Sequence, residues 1–187
     1  MSEFRRFLIA PSLARLIRKE RGGSKRTEGY FAPQAGRVSF VRIEGADCHL
    51  VLTSTDAEGK TTEEVTEVPR SHGDALLDVC KAQVTCERMT VSVSGQEVLI
   101  DRYVSPAGLD VISVGFDEAD AAKAFAPPVW FGVEVTDEPA YQPAAIAIEG
   151  APAPREVAPS NAALDAVLDL LEPRYGFGSL NRPRVAA

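Results

Sequence analysis

The side chains best suited to metal or thiol chemistry are two histidines and three cysteines, and their spacing supports neither. Cys48, Cys80 and Cys86 are odd in number, widely separated and form no CxxC pair. Neither a disulfide framework nor a structural zinc site is expected, and a reducing cytosol fits. His49 and His72 are too few and too far apart for a His-based metal centre. Charged side chains are the remaining candidates. Residues 1–42 hold ten Lys/Arg and three Asp/Glu, a balance of +7, whereas the rest holds ten Lys/Arg and twenty-four Asp/Glu, a balance of −14. A positive section can face phosphate or an acidic partner. The stronger reading is a solvated charged face, as charge runs usually are. With a net charge of −7 and 7% aromatic residues, nucleic-acid binding is not expected.

The elements that must position these charges are mostly strands. Phe4–Ile9 reads as the first, followed by a helix from Ser12 with Leu13, Leu16 and Ile17 on one side and ended by Gly22 and Gly23. Thr27–Phe31 is a short strand. Arg37–Ile43 and Cys48–Ser54 read as a hairpin. Thr61–Val68 alternates polar and apolar and fits a strand with one wet face. The spacing predicts a helix over 71–81 with Ala75, Leu76, Val79 and Cys80 inward. Val84–Val93, Val98–Val104 and Leu109–Phe116 are three more strands, joined by Gly- and Pro-containing turns. Asp117 is placed to cap a helix over 119–125. Pro127 and Pro128 stop that helix, and Val129–Thr136 has the composition of a last strand. Glu149–Pro159 is an Ala/Pro/Gly linker, and Ser160 caps a helix with Leu164, Val167, Leu168 and Leu171 on one face. That stripe reads as packing on the body of the protein or as a docking face for a protein partner. Many strands joined by tight turns predict a mainly β (α+β) protein, an antiparallel barrel or sandwich.

The order of residues in Phe125–Tyr141 adds a family. Pro128, Trp130, Phe131, Gly132, Glu134, Val135 and Thr136, followed by Tyr141, resemble the C-terminal signature of CYTH domains, the triphosphate tunnel metalloenzymes. Thr27–Phe31 is similar to the second strand of such domains. The resemblance spans about residues 2–147 and implies a closed antiparallel β-barrel with short flanking helices and a C-terminal helix. The expected organisation is a barrel domain over 1–148, a linker over 149–159, and a helix and tail over 160–187. Trp130 and Phe131 are expected in the core, since aromatics at strand spacing usually pack.

The resemblance also implies a charged interior, with arginines and lysines on phosphate oxygens and carboxylates on magnesium or manganese. Inward positions recur at every second residue of a barrel strand. In the opening Glu-x-Glu-x-Lys strand of the family, this chain has Ser2, Phe4 and Arg6. Phe40 and Arg42 stand where two arginines alternate, and Thr53 where a lysine follows. Glu63, Val65 and Glu67 keep two of three acids. Arg88 fills one basic place. Leu99 and Asp101 keep half of a Glu-x-Asp pair, and Ser113 and Gly115 replace both carboxylates of a metal-binding pair. Val133 and Pro143 replace two further polar residues.

The expected anion set is therefore Arg6, Arg42 and Arg88, and the expected metal set is Glu63, Glu67 and Asp101. The shape-specifying residues persist while most charge-bearing ones are gone. Loss of one preorganised charge costs on the order of 3 kcal/mol in the transition state. The leading expectation is thus a degenerate member without triphosphate hydrolysis, with no cofactor, binding an anionic ligand or a protein partner. The alternative is a divergent magnesium- or manganese-dependent triphosphatase acting on inorganic or organic triphosphates. Arg5 and Arg6 precede a short apolar run, but Pro11 breaks it and Arg15, Arg18, Lys19 and Arg21 follow. No secretion signal is expected, no run approaches a membrane helix, and a cytoplasmic location is expected.

Overall fold

A computed structural model describes residues 3–58 and 61–172. Eight antiparallel strands form one sheet: β1 (Glu3–Leu8), β2 (Ser24–Tyr30), β3 (Arg37–Glu44), β4 (Asp47–Thr55), β5 (Thr61–Glu67), β6 (Ala82–Val93), β7 (Gln96–Ser105) and β8 (Ala107–Phe116). Their spatial order is β1-β8-β7-β6-β2-β3-β4-β5. Five α-helices accompany them: α1 (Pro11–Arg21), α2 (Arg70–Asp78), α3 (Ala119–Ala124), α4 (Pro143–Glu149) and α5 (Asn161–Leu171).

The expected closure does not occur. β1 and β5 are the two edges, and no pairing joins them among the described residues. The reason lies on the outer edge of β1, where the segment expected as a final strand is seated. Gly132 donates to the Leu8 carbonyl (2.7 Å), Leu8 to Val133 (2.9 Å) and Val135 to Arg6 (2.8 Å). These bonds satisfy the edge that β5 would have to meet. The segment is not the strand that its composition predicts. Phe131 folds back to donate to the Pro128 carbonyl, and a single bridge, Phe7 to Glu134, marks the extended part. Gly132 permits the approach, since a Cβ there would lie 2.8 Å from the Leu8 carbonyl oxygen and 2.9 Å from Val157 Cγ1.

Strand alternation sorts the side chains into two cores. On the convex face Phe7, Met89, Val91, Val98, Ile100, Ile112 and Val114 pack under α1, α5 and the Trp130–Phe131 pair. Trp130 and Phe131 are buried as expected, edge to face at 4.5 Å. On the concave face Leu8, Tyr30, Phe40, Val51, Val84, Tyr103 and Val111 pack with Val135, Tyr141 and Ile146. Ile146 belongs to α4, a helix that propensity did not announce in an Ala-rich stretch beginning at Pro143.

The caps and helix faces differ in part from expectation. Ser160 caps α5 by accepting from the Ala163 N–H (3.0 Å). α1 starts instead at Pro11, with no side-chain cap, and α3 starts after Glu118 rather than from an Asp117 cap. α2 ends at Asp78 rather than 81; it turns Gly73 inward with Leu76 and Leu77 half-buried and leaves Ala75 exposed, and beyond its end Val79 is exposed and Cys80 half-buried. Gly73 sets that face: a Cβ there would fall 2.1 Å from Cys48 Sγ.

Leu164 and Val167 of α5 are buried in the convex core, and Leu168 and Leu171 are half-buried against it. Of the two readings of this stripe, packing on the body of the protein is the one these contacts describe. The linker is also engaged. Val157 packs on both cores, and Arg155 pairs with both carboxylate oxygens of Glu138. The tail beyond residue 172, the rest of the expected 160–187 segment, lies outside the described residues. No described helix is long and apolar enough to cross a membrane.

Candidate functional site

The concave face encloses a cavity of about 820 Å³. Strand alternation puts its charges there. β2 contributes Arg26 and Glu28, β1 Arg6, β3 Arg42, β6 Arg88, β7 Asp101 and β5 Glu63. Gln142, Pro143 and Ala144, at the start of α4, also line it.

Glu28 is the centre of the largest polar cluster. One carboxylate oxygen accepts from Arg26 Nε and Nη2 (3.0 and 2.7 Å) and from Arg42 Nε (3.1 Å). The other accepts from the Tyr30 hydroxyl at 2.6 Å. Burial alone would push the Glu28 carboxyl up. Arg26, the Tyr30 hydroxyl and Arg42 together outweigh it and hold the group below the usual carboxylate range. Burial and the Glu28 charge push the Tyr30 hydroxyl well above its ordinary value, so it remains a donor. Arg26 also approaches Glu44 at 3.6 Å.

A second pair stands across the sheet. Arg88 Nε and Nη2 bind the two oxygens of Asp101 at 2.7 and 2.6 Å, the fork geometry that makes such pairs strong. Burial lowers the Arg88 guanidinium, but its bonds to Asp101 more than reverse that. Cys86 lies 3.6 Å from Asp101, and burial followed by that negative charge pushes its thiol far up. It is no thiolate nucleophile.

Arg6 differs from the other three arginines. Its side chain forms no hydrogen bond or ion pair with any described residue, and its guanidinium stands 6.0 Å from the Phe4 ring. Burial draws its pKa below the ordinary arginine value, partly offset by the more distant Tyr103 and Asp101. A half-buried cation that no described carboxylate or carbonyl meets is poorly solvated and is available to an anion.

The expected anion set, Arg6, Arg42 and Arg88, is thus brought to one cavity. The expected metal set is not brought together. Glu63 and Asp101 are on the wall, but Glu67 is not, and it pairs in register with His49 away from the cavity. Among the described residues no three Asp, Glu, His or Cys side chains are grouped to hold a metal ion. A hard divalent ion takes several oxygens at once. Asp101 has an arginine nitrogen on each oxygen, and Glu28 is filled by two arginines and a tyrosine. The residues present do not fit a resident magnesium or manganese ion.

Arg26 and Glu28 were missed from sequence. Arg26-x-Glu28-x-Tyr30 is an alternating inward set, a signal of the same kind as Phe40-x-Arg42. Phe4, Phe40 and Leu99 line the cavity without filling it: Phe4 is 43% exposed and Phe40 stacks on Tyr30 at 5.0 Å.

The fold has solved counterparts. The crystal structure of the hypothetical protein NE1496 matches with a TM-score of 0.59 and 25% identity, over 79% of this chain and 98% of that chain. That of the inorganic triphosphatase NE1496 matches with a TM-score of 0.58 and 25% identity, over 79% and 95%. A conserved hypothetical protein from Pyrococcus furiosus matches with a TM-score of 0.48 and 10% identity, over 66% and 83%. No family model matches the chain, and no curated protein does.

Proposed function

We propose that this chain, which has the fold of the triphosphate tunnel (CYTH) proteins, uses its cavity to bind a small anion without hydrolysing triphosphate. The observation that carries this reading is the state of the cavity's charges. Glu28 and Asp101 are held by arginines, while Arg6 meets no hydrogen-bond or ion-pair partner among the described residues. A carboxylate locked in a forked arginine pair cannot turn to a metal without leaving a buried guanidinium unpaired, and such losses cost about 3–5 kcal/mol. Metal-assisted phosphoryl transfer needs a site that polarises the phosphoryl oxygens and orients the attacking water. The cavity supplies one carboxylate outside these pairs, Glu63.

The second reading is a divergent triphosphatase in which metal arrives with the substrate. It is favoured by the likeness to the inorganic triphosphatase NE1496. It needs Glu63 and a released Asp101 to act together.

Thermal shift separates the two. A ligand that binds only the folded state raises the melting temperature. Inorganic phosphate and pyrophosphate should raise it equally in EDTA and in magnesium, and Arg6→Gln should abolish the shift. A shift that appears only with magnesium or manganese, or no shift with any anion, contradicts the anion-binding reading.

A further inference from the structure

The cavity's charges and its apolar lining together narrow the ligand. Arg26 and Arg42 meet Glu28, Arg26 also reaches Glu44, and Arg88 meets Asp101. Four arginines and three carboxylates, Glu28, Asp101 and Glu63, line the cavity, which leaves a surplus of one positive charge, and Arg6 is the arginine that no carboxylate among the described residues meets. An inorganic triphosphate brings several negative charges to that single surplus charge, and the nearby carboxylates repel the excess.

The surroundings of Arg6 are also wrong for a purely ionic ligand. Phe4, the next inward position along β1, places its ring beside the guanidinium. Leu99 on β7 faces Ser113 on β8, and Ser113 faces Arg6 in turn, so Leu99 lies on the same part of the wall. Val38 adds to the apolar lining elsewhere in the cavity. Phe4 and Val38 are 43% and 42% exposed, large apolar side chains that face an open space. A polyphosphate covers none of this surface. The volume of about 820 Å³ is that of a pocket for a small organic molecule.

We infer, building on the anion-binding reading above, that the ligand is amphiphilic: one carboxylate or phosphate-ester group paired with Arg6, on an apolar body that lies on Phe4 and Leu99. Each methylene buried on such a surface strengthens binding roughly fourfold.

Calorimetric titration of the full chain tests this with octyl phosphate, methyl phosphate, octanoate, acetate, octanol and inorganic triphosphate. At least one octyl anion should bind tenfold or more tightly than its methyl counterpart, and octanol should not bind. Whichever octyl anion binds better identifies the head group as phosphate ester or carboxylate. Arg6→Gln should weaken the octyl anion at least tenfold, with circular dichroism confirming its fold. Phe4→Ser, at an exposed side chain, should shrink the octyl-over-methyl preference at least threefold and keeps the test open should Arg6→Gln not fold. If the methyl counterpart or triphosphate binds as tightly as the better octyl anion, the amphiphile inference falls and anion binding stands. If octanol binds as tightly as the better octyl anion, the inference falls as well. If no anion binds, both fall.

Discussion

At the residue scale, Glu28 holds the concave face together. It is a buried carboxylate with two arginines and a tyrosine on it, and its pKa is held below the usual range. The unfolded chain therefore binds its proton at a higher pH than the folded one does. Its stabilising contribution is complete above the unfolded carboxylate pKa and is lost as pH falls through the folded value. Glu28→Gln should cost about 3–5 kcal/mol at pH 7 in urea unfolding and should flatten the acid limb of the stability curve. Asp110 on β8 behaves oppositely. Burial raises its pKa despite Arg102 and Arg15, and one carboxylate oxygen is buried without a hydrogen bond. Its folded form favours the proton, so ionisation weakens the fold as pH rises past the unfolded value. Asp110→Asn should raise the melting temperature at pH 7 and lose that advantage at pH 3.

At the element scale, the segment after Pro128 closes one edge of the sheet and α5 covers the convex core. Gly132→Ala would force a Cβ to 2.8 Å from the Leu8 carbonyl oxygen and 2.9 Å from Val157. Overpacking of this kind costs about 1–3 kcal/mol, and hydrogen exchange should quicken at Leu8 and Val135 first. Leu164→Ala should cost about 2–5 kcal/mol, since the side chain is part of the convex core rather than a free partner face. The strands were legible because their inward and outward residues alternate and turns with Gly or Pro separate them. Val129–Thr136 was misread for a reason that composition cannot carry. Its β-branched residues are there, but Trp130 and Phe131 turn into the core next to the Pro128 fold-back, so only a few bonds remain for β1. α4 was missed because seven residues rich in alanine show no stripe.

At the scale of the whole molecule, an open sheet capped on β1 still curves enough to gather Arg6, Arg26, Arg42 and Arg88 from four strands. Those members that a known pattern named were found in the sequence. Arg26 and Glu28 escaped because pairing partners depend on the strand order, and β2 lies between β3 and β6, its neighbour far along the chain. The same order explains why Glu63, Glu67 and Asp101 never meet. β5 is the far edge and β7 is separated from it by four strands. The most direct measurement is phosphate release from inorganic triphosphate, ATP and thiamine triphosphate by the purified chain, with magnesium or manganese present. No release above the protein-free rate is predicted with either ion. Metal-dependent release that Glu63→Gln abolishes would contradict the account and restore the hydrolase.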